Sequence, residues 1–66
     1  MIKLRCIRRF RNNNGKITQY TLVEDNGVVH VCTPDELKYY IRSGEYIVTN
    51  LKLTSNNRLI DHDHRE

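Results

Sequence analysis

Residues 2 to 11, Ile-Lys-Leu-Arg-Cys-Ile-Arg-Arg-Phe-Arg, alternate apolar and basic side chains for most of their length. This is the two-residue period of a strand with one face in a core and the other outside it. Ile2, Leu4, Cys6 and Phe10 take the core face, and Lys3, Arg5, Arg9 and Arg11 the outer one. Ile7 and Arg8 interrupt the alternation, one on each face. Asn12-Asn13-Asn14-Gly15 supplies turn chemistry, Ile17 to Glu24 is again β-rich, and Asp25-Asn26-Gly27 turns the chain into Val28 to Cys32. Asn and Gly accept the positive φ that hairpin turns require, so the pattern predicts a three-stranded antiparallel meander.

Keeping one face apolar fixes the expected register. A three-residue loop Asn13-Asn14-Gly15 with a bulge at Gly15 pairs Cys6 with Leu22, Arg8 with Tyr20 and Phe10 with Thr18. The two-residue alternative would turn Lys3, Arg5 and Arg9 into the core, a prohibitive burial of charge. At the second turn a two-residue Asn26-Gly27 loop pairs Leu22 with Val31, which gathers Tyr20, Leu22, Val29 and Val31 on the core face. Arg8 is then the one base on that face, its stem laid over Tyr20 and its head in water.

Thr33-Pro34-Asp35-Glu36 is a helix start: Thr as N-cap, Pro in the first helical position and Glu closing a capping box. Leu37, Tyr40 and Ile41 fall on one face, and Arg42-Ser43-Gly44 ends a helix over about residues 35 to 43. So short a helix needs the sheet to pack against. Residues 46 to 54 read as one further strand, with Ile47, Leu51 and Leu53 on one side and Tyr46, Val48, Asn50 and Lys52 on the other. Ser55-Asn56-Asn57 is a turn, and Arg58-Leu59-Ile60 a short last strand. The predicted fold is α+β: an antiparallel sheet, a three-stranded meander followed by one helix and one or two strands, with the single helix on one face. Residues 1 to 60 form one domain and 61 to 66 a flexible polar tail.

With 66 residues, 18 of them Val, Ile, Leu or Phe, the chain carries enough apolar surface for one core and too little for two. No apolar run spans a bilayer or makes a signal peptide, which predicts a soluble, cytoplasmic protein without a membrane partner. The net charge of +3 is unevenly placed: residues 1 to 16 hold six bases and no acid, and the rest five bases against eight acids. A basic first strand either protects an edge or attracts an anionic partner.

The layout resembles a family of very small bacterial and phage proteins of unknown function, through Asn14-Gly15-Lys16-Ile17-Thr18, Asp25-Asn26-Gly27, the capped segment Thr33 to Gly44 and the stretch Leu53 to Ile60. The resemblance implies a phage or mobile-element setting among low-GC Gram-positive bacteria and related hosts. It carries over no catalytic residue.

No nucleophile elbow, phosphate-binding glycine loop or zinc-binding helix is present, so no enzyme is expected. Asp35 and Glu36 are explained by the helix start. Cys6, facing the core, and Cys32, opposite Thr21 and facing away, read as free thiols, and His30 as a surface histidine. His62 and His64, with Asp61 and Asp63, offer too few fixed ligands for a closed zinc site. No metal or cofactor is expected.

The outer face of the first hairpin, with Lys3, Arg5, Ile7, Arg9, Arg11 and Gln19, is the candidate partner-binding site. The expected function is stoichiometric binding of a host protein or protein complex, with inhibition or modulation of it. A defence effector such as a CRISPR nuclease is one example. Homodimerisation through that face or a sheet edge is a further expectation. The alternative is nucleic-acid binding through the basic strand, and the lack of an aromatic on that face in this register counts against it.

Overall fold

A computed structural model describes residues 1–61. In chain order the elements are β1 (Ile2–Arg11), β2 (Ile17–Glu24), β3 (Val29–Cys32), α1 (Pro34–Arg42), β4 (Tyr46–Val48), β5 (Leu51–Leu53) and β6 (Leu59–Asp61). The fold is α+β, with one helix packed on one face of a four-stranded sheet of order β3-β2-β1-β4 and a separate two-stranded β5-β6 sheet. No helix among the described residues is long and apolar enough to cross a membrane.

The meander β1-β2-β3 is antiparallel, but β4 joins β1 in parallel. The reason is directional. β3 runs the same way as β1, α1 carries the chain back across the core face, and β4 sets out again in the original direction on the far side of β1. The strand expected over 46 to 54 is therefore two short strands. Between them Asn50 is buried and closes on β1: its Nδ2 donates to the Cys6 carbonyl at 2.8 Å, and its Oδ1 accepts from the Cys6 N–H at 2.9 Å. The side chain continues the β1-β4 ladder after the backbone of β4 has turned away.

The helix ends are built as the sequence predicts. Thr33 and Glu36 form the reciprocal capping box. At the other end the Gly44 N–H donates to the Ile41 carbonyl and the Glu45 N–H to the Tyr40 carbonyl, with Gly44 at φ +84°. This closure places a residue in the left-handed region, where glycine carries no Cβ penalty.

All three hairpins turn through one kind of loop, in which three residues separate a closing pair. Asn12 N–H donates to the Lys16 carbonyl, Glu24 to Val28 and Thr54 to Arg58, while Gly15, Gly27 and Asn57 take positive φ. The first loop is the one expected. The second corrects the expected two-residue Asn26-Gly27 turn, because Asp25-Asn26-Gly27 all lie within it. That difference of one residue reverses every side chain of β3. Tyr20 pairs with Cys32 and Leu22 with His30, so His30 and Cys32 face the core side while Val29 and Val31 are exposed.

The core comprises Leu4, Cys6, Tyr20, Leu22, Cys32, Leu37, Val48 and Leu51, with Tyr40, Ile41 and Leu59 packed against it. Cys32 thus lies in the core and not on the open face. Both cysteines are free. β2 lies between their strands, which puts β1 and β3 about 9–10 Å apart, beyond the reach of a disulfide. Asp61, expected in a loose tail, belongs to β6 and forms an ion pair with Arg9. The His62, His64 and Asp63 reading lies outside the described residues.

Candidate functional site

One face of the four-stranded sheet is covered by α1 and the core residues of the β5-β6 hairpin. The other bears cross-strand rows that the pairing defines. Lys3 lies beside Ile47; Arg5 beside Val23 and then Val29; Arg8 beside Thr21 and then Val31; Phe10 beside Gln19. Bases run along β1 in the middle of the sheet, and exposed aliphatics stand to either side. Val29, Val31 and Ile47 are 56 %, 54 % and 45 % exposed. Among the described residues these rows carry bases and no carboxylate.

A β-bulge decides which bases lie here. β1 and β2 pair as expected from Leu4 to Cys6, but the register shifts between Cys6 and Arg8, leaving Ile7 as the extra, exposed residue. The extra residue reverses the facing of the strand beyond it. Arg8 and Phe10 point to the open face, while Arg9, paired with the buried Tyr20, points to the helix side and meets Asp61. Arg11, paired with Ile17, also lies on the helix side. Of the residues expected on this face, Lys3, Arg5 and Gln19 are present and Ile7 stands at the bulge. Arg9 and Arg11 are removed, and Arg8 and Phe10 take their place. The paired break at Ile7 and Arg8 was the available signal for this.

The exchange also changes the chemistry. The Arg8 guanidinium carbon lies 5.2 Å from the centroid of the Phe10 ring, a cation–π contact. The face therefore carries an aromatic beside its bases, which the expected register excluded.

The reversal of β3 creates a second cluster at the far end of the core. His30, expected on the surface, is partly buried. Its Nε2 lies 2.6 Å from a Glu24 carboxylate oxygen and its Nδ1 3.2 Å from the Tyr46 hydroxyl. One tautomer satisfies both contacts, with Nε2–H donating to Glu24 and Nδ1 accepting from Tyr46. The Tyr46 ring also packs on Tyr40 with centroids 4.6 Å apart. These contacts offset the cost of turning a histidine inward. Among the described residues no three His, Cys, Asp or Glu side chains gather as a metal site.

Burial pushes the Cys32 thiol above its ordinary value of 9.0, with the Glu36 carboxylate adding to the effect. Burial likewise raises the Tyr20 and Tyr46 phenols. Each group holds its proton to higher pH in the folded chain than in the unfolded one, so the folded state binds more protons in alkali. The resulting stability is complete below the unfolded values and is lost as pH rises from them through the folded values. The urea midpoint is expected to hold steady to about pH 8.5 and to fall from about pH 9 upward. A midpoint at pH 10.5 equal to that at pH 7 contradicts this.

Comparison with known protein families, characterised proteins and solved structures returns no match.

Proposed function

We propose that the protein is a non-enzymatic binding protein that uses the open sheet face to dock on an acidic surface of a protein partner. The observation that supports this is the one-sided sheet: three bases and no acid among the cross-strand rows, flanked by Val29, Val31 and Ile47. Exposed aliphatics flanking a central row of bases give the face apolar area beside its charge, which a solvated face does not need. The charge selects an acidic partner. It also disfavours a homodimer formed face to face, which would bring Lys3, Arg5 and Arg8 against their own copies. A homodimer therefore pairs through a sheet edge, and β3 with its exposed valines is the edge suited to it.

The narrower form of the proposal is a phage or mobile-element accessory protein that blocks or modulates a host protein such as a defence effector, and its support is the likeness of layout to small phage proteins. A second reading, nucleic-acid binding, gains support from Phe10 with Arg8 on the basic face, since sheet-type single-strand binders stack bases on aromatics.

Affinity capture from host lysate, with and without nuclease and at two salt concentrations, separates these readings. A single stoichiometric protein complex that survives nuclease and moderate salt is the expected result. Recovery of nucleic acid alone, lost as salt rises, overturns the protein-partner reading and favours the second.

A further inference from the structure

On the helix side, at the end of the sheet opposite the Glu24-His30-Tyr46 cluster, lies a groove of about 770 Å³. It is bounded by the end of the β1-β2 hairpin, the start of α1 and the first residues of the β5-β6 hairpin's return strand. Its volume falls in the range of small-molecule sites, roughly 300–1,000 Å³. Arg11 and Lys16 of the β1-β2 hairpin, Lys38 of α1 and Arg58 of the β5-β6 hairpin line it, against the single carboxylate of Asp35. Arg11 gives one N–H to the Gly15 carbonyl, and none of the four forms an ion pair with a described residue.

The floor supplies a second, independent observation. Tyr20 is only 4 % exposed and lines the groove, yet its hydroxyl has no hydrogen-bond partner among the described residues. Every fully enclosed side-chain nitrogen or oxygen among these residues does have a partner. The Tyr20 hydroxyl is thus a donor on a buried ring that is not fully enclosed, in a residue that lines the groove. Beside it Ile17, Pro34 and Leu59 line the apolar part.

We infer that this groove is a binding site for a small organic polyphosphate of nucleotide size. Its phosphates are held by Arg11, Lys16, Lys38 and Arg58 and accept a hydrogen bond from Tyr20, while its organic part lies on Ile17, Pro34 and Leu59. Several cations converging on one groove call for more than one negative charge, which phosphate groups carry. The apolar lining calls for more than an inorganic anion. This site is separate from the open face, on the other side of the sheet, so either can fail without the other.

The test is titration of the full chain with ADP and, separately, with pyrophosphate, followed by amide chemical shifts. Saturable ADP shifts confined to Ile17, Tyr20, Lys38 and Leu59 and their neighbours are expected, with pyrophosphate weaker. Lys38→Glu with Arg58→Glu should weaken ADP binding by tenfold or more, and Tyr20→Phe, which keeps the ring and the fold, by roughly five- to tenfold. Lys3→Glu with Arg8→Glu should leave it unchanged. Absence of saturation at millimolar ADP overturns the site, as do shifts centred on Lys3 and Arg8. Pyrophosphate binding as tight as ADP overturns the organic part of the assignment.

Discussion

Replacing Asn50 by alanine is expected to destabilise the fold by about 3 kcal/mol, since each buried backbone group left without a partner costs about 1–3 kcal/mol. Asn50 is the one buried polar residue among those described, and both of its polar ends are committed to the backbone of Cys6. On that side of β1 no backbone among the described residues pairs with Cys6. β4 pairs with β1 only from Ile2 to Leu4, with Thr49 N–H donating to the Leu4 carbonyl as the last backbone contact. Alanine leaves the Cys6 N–H and carbonyl stranded beside the buried Leu51. In a domain of this size the thermal midpoint should fall by roughly 12–24 °C, at about 4–8 °C per kcal/mol.

Asn50→Asp separates this account from simple loss of volume. The introduced carboxylate still accepts from the Cys6 N–H but has no proton for the Cys6 carbonyl. When protonated it can do both. Burial raises the pKa of such a carboxyl in the folded chain, so the folded state binds more protons, and stability is gained as pH falls through that folded value. The Asp variant should therefore regain stability between about pH 7 and pH 4 relative to the parent. An Ala variant within 0.5 kcal/mol of the parent, or an Asp variant with no such recovery, removes Asn50 from this role.

The elements were legible because each is marked by local chemistry: the alternation of residues 2 to 11, the Thr33-Glu36 box, the Gly44 closure and the Asn-rich turns. Their facing was legible only where a single register kept charge out of the core. That held for β1 as far as Cys6, since sliding the pairing by one would have buried Lys3 and Arg5. It failed for β3, because Asp25-Asn26-Gly27 is compatible with either loop length, and apolarity alone prefers Val29 and Val31 inside to His30 and Cys32. What decides the matter is distant in sequence. Glu24 and Tyr46 give the inward His30 its partners, and no local pattern reports an interaction across the core. Beyond Ile7 the bulge likewise exchanged Arg9 and Arg11 for Arg8 and Phe10. Of the six residues expected on the open face, Lys3, Arg5 and Gln19 lie there, Ile7 stands at the bulge, and Arg9 and Arg11 face the helix side.

That exchange makes a sharp prediction for binding. The triple variant Lys3→Glu, Arg5→Glu, Arg8→Glu is expected to weaken partner binding at least 100-fold. Three attractive charges become repulsive ones, and juxtaposed like charges cost several kcal/mol. Arg9→Gln with Arg11→Gln, which carries the same bases by sequence alternation but faces the helix side, should change affinity less than threefold. The fold should tolerate the triple change, since all three side chains are exposed and substitutions away from buried networks usually fall within about 0.5 kcal/mol each. An unaltered urea midpoint confirms that lost binding is not lost structure. If the partner is a nucleic acid, the same variant reduces the slope of log K against log salt by about 3, roughly one per phosphate contact, and Phe10→Ala costs a further 1–3 kcal/mol of stacking. If the partner is a protein, Val29→Ser with Val31→Ser weakens binding while the salt slope is kept, because the contribution lost is apolar burial at the β3 edge. Equal losses from the Arg9/Arg11 pair and the Lys3/Arg5/Arg8 triple would show that binding responds to net charge alone, and the open face would then have no special part in it.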